Sequence, residues 1–305
     1  MRATVRATVI FFAAVVVVTQ ASHLALTPSG ELAIVNATAG TMTTVGGGSP
    51  ELVPQTLYAQ QQGVFSANVD NVFQIMENKT FTPPRLVIAS LNATTGRVLR
   101  EPIPLPNSES IVASWLLSVG NYNAMAVTAT DDGMMHVYSL DMKQTATPLL
   151  NSFEFAAIPL VGSGITLDTS RRMIYISTAQ KGQNVILGIR QATGKLESQW
   201  PNSAYLSSLA YSSALKAIVG SGVVNGVRSI VALNPVNQET TVLATSTTLQ
   251  ELEGIGAFDP DSNQYFAFLS PAALFHLVAF NLTSGTSSFT AYNCIGTACP
   301  VSLLS

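Results

Sequence analysis

Charged side chains are scarce in this chain. Fourteen Lys and Arg and 17 Asp and Glu make up 10% of its 305 residues, under half the usual share of soluble domains. The basic residues gather nowhere along the sequence and the formal net charge is −3, so no stripe exists to hold a phosphate backbone and nucleic-acid binding is not expected. Two cysteines, Cys294 and Cys299, are too few to close a structural zinc site. G-x-S-x-G is absent, which removes the nucleophile-elbow hydrolases. Tryptophan is limited to Trp115 and Trp200, and histidine to His23, His136 and His276. Beyond the N-terminus no apolar run is long enough to cross a bilayer.

The N-terminal run is the exception. Arg2 and Arg6 precede Val9–Val18 (VIFFAAVVVV), ten residues that rise about 15 Å as a helix, roughly half the hydrocarbon thickness. Thr19-Gln20-Ala21 then offers small residues at the positions a signal peptidase reads, so 1–21 reads as a signal peptide cleaved before Ser22. An uncleaved signal anchor is the alternative. The mature chain, 22–305, is expected to be secreted or lumenal, monomeric and without a stable membrane anchor. Cys294 and Cys299, five apart in NCIGTACP, fit an oxidising compartment as a local disulfide. So small a loop contributes about 2 kcal/mol or less. Two unpaired thiols are the other reading.

What the sequence has is repetition. AIVNATAG (33–40), VIASLNATTG (87–96) and LVAFNLTSG (277–285) each set an apolar strand before Asn, Thr and a turn Gly. The turn residues Asn36, Asn92, Asp141, Gln191, Asn234 and Asn281 follow one another at gaps of 56, 49, 50, 43 and 47 residues. Such spacing in an all-β pattern predicts a propeller, one four-stranded blade per period. Within a period, short β-branched and aromatic runs alternate with Gly, Pro, Asn, Asp and Ser turns, as in GIGAF, DPDSN, QYFAFL, FHLVAF, NLTSG and TSSFTAY. Gly supplies the left-handed position that the third-to-fourth-strand reversal needs, and Asn bonds its own backbone there. In LDMKQ and NPVNQ the Gly is missing. SHLAL, ELAIV and TMTTVG supply only three strands of a first blade, and PVSLLS at the other end supplies the innermost one. The expectation is therefore an all-β, six-bladed propeller of four-stranded antiparallel blades. Its N- and C-terminal strands share one blade, which leaves no open sheet edge. Seven blades would require an extra element in the 56-residue gap.

The phrases SLNATTGRVLRE and GIRQATGKLESQW resemble the repeat of the quinoprotein-like propeller superfamily. The resemblance implies the fold. Cofactor-binding members of that group carry many blade tryptophans and a calcium-bound quinone in the central channel, whereas this chain has two tryptophans; no cofactor is expected.

The segments nearest the axis read VFSAN (64–68), SWLLSV (114–119), SGITL (163–167), LSSLAY (206–211), GIGAF (254–258) and VSLLS (301–305). None contains a carboxylate or imidazole, and only Asn68 offers a good neutral oxygen for calcium. His136 and His276 stand at equivalent places, five residues before their turn residue. Opposite blades separate them by more than ~20 Å at ~4.8 Å per strand, so each is expected to pack a blade or face solvent. Asp131-Asp132-Gly133 reads as a two-residue hairpin turn, with a calcium-binding turn as the alternative. Asp168, Asp259 and Asp261 read as turn formers of the first hairpin.

Four N-x-T sequons occur, at Asn36, Asn78, Asn92 and Asn281. Three fall in third-to-fourth-strand turns on one face, and Asn78 falls in ENKTFTPPR on the other. Occupied, they coat one face with sugar; unoccupied, they are simply good turn chemistry. The opposite face carries the 46–63 segment, the 77–85 loop, PLPNSES (104–110) and QWPNS (199–203), with Tyr58 and Trp200 as aromatics for a protein or glycan partner, or as caps of a hydrophobic blade edge. The function expected is a secreted, glycosylated binding module. The alternative is a secreted propeller enzyme, a metal-dependent hydrolase or a quinone-dependent oxidoreductase.

Overall fold

The computed structural model describes residues 22–27, 30–36, 41–54, 63–66, 71–119, 123–141, 143, 147–157, 164–245, 256–259, 263–269, 275–284, 287–292 and 302–304. Every regular element among them is a strand. The chain opens with β1 (Ser22–Leu26), β2 (Glu31–Asn36) and β3 (Thr41–Gly47). Next come β4 (Leu52–Pro54), β5 (Gly63–Ser66), β6 (Asn71–Asn78), β7 (Arg85–Asn92) and β8 (Ile103–Pro104). Then follow β9 (Ile111–Ser118), β10 (Asn123–Thr130), β11 (Met134–Asp141) and β12 (Leu149–Glu154). β13 (Ile165–Asp168), β14 (Met173–Gln180), β15 (Gln183–Arg190) and β16 (Leu196–Pro201) form the next set. β17 (Leu206–Ser212), β18 (Ala217–Val224), β19 (Val227–Leu233) and β20 (Thr240–Thr245) form another. The last are β21 (Gly256–Asp259), β22 (Gln264–Leu269), β23 (Phe275–Asn281), β24 (Ser287–Tyr292) and β25 (Ser302–Leu304).

Each set is one antiparallel sheet in chain order, and β25 joins the first set by pairing with β1, Leu24 opposite Leu304 and Leu26 opposite Ser302. Five sheets have four strands. The β4–β8 sheet departs from the expected four: β5 pairs with one end of β6, and β4 with the other. The extra element in the long gap is thus the three-residue strand LVP, whose Pro54 suits an edge because it has no N–H to donate.

Burial explains the composition. The middle strands β6, β7, β10 and β14 are buried over at least six of their eight positions. Each is covered on both faces by neighbouring sheets, which favours near-continuous apolar runs such as MIYISTAQ. The outer strands β3, β12 and β20 contain no buried position, and β3 and β20 are rich in Thr. Between β9–β12 and β13–β16, Trp115, Val127 and Val137 pack on Ile165, Ile174 and Leu187. Between β5–β8 and β9–β12, Phe73, Ile75 and Ile88 pack on Leu116, Tyr138 and Leu140. Each fully buried aliphatic contributes about 1.5–3 kcal/mol.

The first strands touch in sequence: β5 with β9, β9 with β13, β13 with β17, β17 with β21, and β25 with both β21 and β5. They are the predicted axial segments, with one correction. β13 and β21 run on to Asp168 and Asp259, so two of them end on a carboxylate. Asn68 and Asp261 lie outside the described residues.

Turn chemistry recurs as the repeat demands. Asn92 Oδ1 accepts from the Thr94 and Thr95 amides at 3.1 and 2.8 Å, and the Gly96 amide donates to Asn92 O at 2.8 Å. The same backbone bond joins Gly194 to Arg190 and Gln238 to Asn234, each at 2.8 Å. The repeat marker in the fourth period is therefore Arg190, one residue before Gln191. In NPVNQ the left-handed position persists without glycine, taken by Gln238 at φ 62°. The turn after β10 has three residues, not two: the Gly133 amide donates to Thr130 O, and Gly133 takes φ 82°.

Candidate functional site: a loop-end cleft and a histidine network

Antiparallel order puts the first-to-second and third-to-fourth turns of every sheet at one end, here the turn end. The second-to-third hairpins and the sheet-to-sheet connections lie at the other, the loop end. Asn36, Asn92 and Asn281 close the third strand of their sheets at the turn end. Asn78 closes β6 at the loop end, its Oδ1 accepting from the Thr80 amide at 3.0 Å and hydroxyl at 2.8 Å. All four are partly exposed. Tyr58, Cys294 and Cys299 lie outside the described residues. Trp200 is 4% exposed and meets Tyr175 edge-on at 5.9 Å. It caps the hydrophobic edge of a blade instead of offering a ring to a partner.

At the loop end a cleft of about 640 Å³ opens beside the β8–β9 connection, lined by Arg85 and residues 104–110. Its size falls in the range of small-ligand sites. The connection is held from both sides: the Leu105 amide donates to Leu86 O at 2.9 Å, and the Asp131 amide to Ser110 O at 2.9 Å. Between these anchors Asn107 turns through φ 55°, and its carbonyl accepts from the Ser110 amide at 3.0 Å. The Arg85 guanidinium lies 5.0 Å over the ring of Phe81, which is 38% exposed, a cation–π pairing that fixes both. The cleft thus offers a cation, the Glu109 carboxylate, two serine hydroxyls and two prolines on a braced backbone.

Nearby, at the same end of the β9–β12 sheet, His136 holds a chain of polar groups. Ser152 Oγ lies 2.8 Å from His136 Nδ1, Thr130 Oγ1 lies 3.3 Å from Nε2, and Thr130 donates to Asp132 Oδ1 at 2.6 Å. The Nε2–H tautomer satisfies every member: Ser152 donates to Nδ1, Nε2–H donates to Thr130, and Thr130 donates to Asp132. The Thr130 hydroxyl, then the Met134 amide, hold the Asp132 carboxyl below the ordinary aspartate range. Between the two expected roles, packing a blade or facing solvent, His136 is half-buried, and the cross-strand register of β10–β12 surrounds it with hydroxyls. His276 lies in β23; its side chain is outside the described residues. Asp168 is a turn former, Oδ1 accepting from the Ser170 and Arg171 amides at 2.9 and 3.1 Å. Among the described residues no group of three His, Cys, Asp or Glu converges to hold a metal.

No family model matches the chain, and no curated protein matches it. Solved structures do. A chain in the nidogen/laminin complex superposes with a TM-score of 0.62 at 14% identity, over 93% of this chain and 97% of that one. A protein assigned as TolB from Agrobacterium tumefaciens gives 0.59 at 10% identity, over 92% of each chain. A protein assigned as a 6-phosphogluconolactonase from Bacteroides fragilis gives 0.53 at 13% identity, over 93% and 98%. Their named roles differ widely, and identities this low speak to architecture alone. The chain is a β-propeller of four-stranded antiparallel blades.

Proposed function

We propose that the mature chain is a secreted, N-glycosylated six-bladed propeller that binds a protein or glycan partner through its loop end. Counting the β4–β8 sheet as a blade gives six, and the pairing of β25 with β1 supports a ring closed by the two chain ends. The observation that carries the binding reading is the braced cleft, where Arg85 and Phe81 stand exposed beside a connection tied at Leu105 and Ser110. Preformed surface of this kind binds with little ordering cost. The apolar leader, the Cys294–Cys299 pair and the four sequons support the secretory route.

Expression of the full chain in a eukaryotic host tests it. The expected product in the medium begins at Ser22, links Cys294 to Cys299, and loses mass on enzymatic deglycosylation. On arrays of glycans and extracellular proteins, binding should be lost in the Phe81→Ala/Arg85→Gln double variant. An intracellular product with its leader intact, or binding indifferent to both substitutions, sinks the proposal.

One observation favours a second reading, a hydrolase: Ser152 Oγ lies 2.8 Å from His136 Nδ1, the contact a nucleophile makes with its base. Labelling by a fluorophosphonate that disappears in Ser152→Ala would support it. Equal labelling of both proteins would remove it.

A further inference from the structure

The turn end carries a second cleft, distinct from the one at the loop end. Lys143, Arg171, Arg172, Lys195 and Lys216 are exposed there, on turns of the β9–β12, β13–β16 and β17–β20 sheets. With Arg190 at the end of β15, six of the chain's 14 basic residues share one end of three sheets, although the whole chain carries −3. The nearby carboxylates are largely engaged. Asp168 is buried against Arg171, Glu197 binds Arg190 at 2.7 Å, and Glu239 accepts from Asn237 at 2.7 Å. Asp141 accepts from the Lys143 amide at 2.9 Å. Among the described residues Arg172, Lys195 and Lys216 have no acidic partner. The sequons of the turn end sit on the other three sheets.

Between β9–β12 and β13–β16 this surface opens into a cleft of about 540 Å³. Its floor is the edge of the core: Met125, 2% exposed, with the partly buried Leu150 and Leu167. Its rim carries Arg172, Ser139 and Gln191. The walls are preset. Asn151 Nδ2 donates across the two sheets to Gly194 O at 3.3 Å, and the Gln191 amide fixes Arg172 by donating to its carbonyl at 3.0 Å. A guanidinium at the lip of an apolar floor matches a carboxylate on a compact apolar body: the fork takes both oxygens, and the floor excludes water from them. Met125 and the leucines adapt to the body, while Ser139 and Gln191 supply hydrogen bonds.

We propose that this cleft binds a small organic carboxylate with an apolar body of about one or two rings, at a site unconnected with the loop-end reading. The probe is 2-naphthoate, titrated into the full secreted chain by calorimetry and ligand-observed NMR, with uncharged 2-naphthamide beside it. Saturable naphthoate binding is expected. The amide should bind at least about tenfold more weakly, and Arg172→Gln should weaken naphthoate about tenfold while leaving the amide unchanged. Arg172→Lys, which keeps charge but loses the fork, should fall between. Lys195→Gln/Lys216→Gln should retain binding. Absence of saturation, equal affinity for acid and amide, or loss through the lysine pair with none through Arg172 would overturn the proposal; the last result means a diffuse polyanion surface. If Arg172→Gln does not fold, the Lys variant and the acid–amide comparison decide.

Discussion

Tyr265 gives the sharpest quantitative test of the packing between sheets. It lies in β22, fully buried, and its hydroxyl donates at 3.2 Å to the carbonyl of Ser208 in the neighbouring sheet. Ser208 sits in an irregular stretch of β17, at φ 52°, where the pairing with β18 slips between Ser207 and Ala210. Desolvation pushes the Tyr265 phenol from 10 up to about 12, against the lowering effect of its hydrogen bonds. The protonated form is therefore the one the fold holds. The unfolded chain gives up this proton near pH 10 and the folded one near 12, so the contribution is complete below pH 10. It is lost as pH rises through that window, about 3 kcal/mol in all. Tyr265→Phe removes this alkaline loss but also the bond to Ser208, a cost of about 1–2 kcal/mol at neutral pH. Urea melts of both proteins from pH 7 to 11.5 should show the wild-type advantage shrink above pH 10 and vanish near pH 11. Tyr138 and Tyr175, also raised by burial, are common to both proteins and cancel in the difference. Parallel stability curves would refute the assignment of Tyr265 as a buried, bulge-anchoring phenol.

Gly96→Ala should destabilise by more than about 2 kcal/mol in urea melts. It forces a left-handed residue (φ 67°) to carry a Cβ, and that Cβ would overlap the Gly46 carbonyl. Trp200→Phe should cost less than about 2 kcal/mol, because the indole Nε1 is buried without a hydrogen-bond partner among the described residues and its loss offsets part of the lost volume. On the secretory reading proposed above, deglycosylation of the full chain expressed in a eukaryotic host should show one fewer glycan in each of Asn36→Gln, Asn92→Gln and Asn281→Gln. A variant with unchanged mobility marks a sequon that serves only as turn chemistry.

Much of this architecture was legible because each turn is a local chemical problem. A reversal after an apolar strand needs a left-handed residue and a side chain to hold it, so Asn-x-Thr-x-Gly recurs in three of the six turns, from Asn36, Asn92 and Asn281. The exceptions are instructive. Gln238 fills the left-handed position where the repeat lacks glycine, and neighbouring hydrogen bonds hold it there without altering the period. QWPNS leaves Trp200 two readings, an aromatic for a partner or the cap of a hydrophobic blade edge, and its burial matches the second. Whether an outer strand's aromatic is covered depends on the next sheet, here Leu206 and Ile218, and local sequence does not encode that. The Ser152–His136 contact depends on a register shift between Val137 and Tyr138 that no spacing rule predicts. The basic cluster was invisible for a related reason: Lys143, Arg171, Lys195 and Lys216 are far apart along the chain, and only the radial stacking of three sheets brings their turns to one end.

The central claim is that the two ends of the chain complete one sheet. Hydrogen exchange on the full chain and on a variant lacking residues 301–305 tests it most directly. Removal of β25 should speed exchange of the β1 amides by at least about a hundredfold, while β14 and β15 keep their protection. Unchanged protection of 22–26 after the truncation would contradict it.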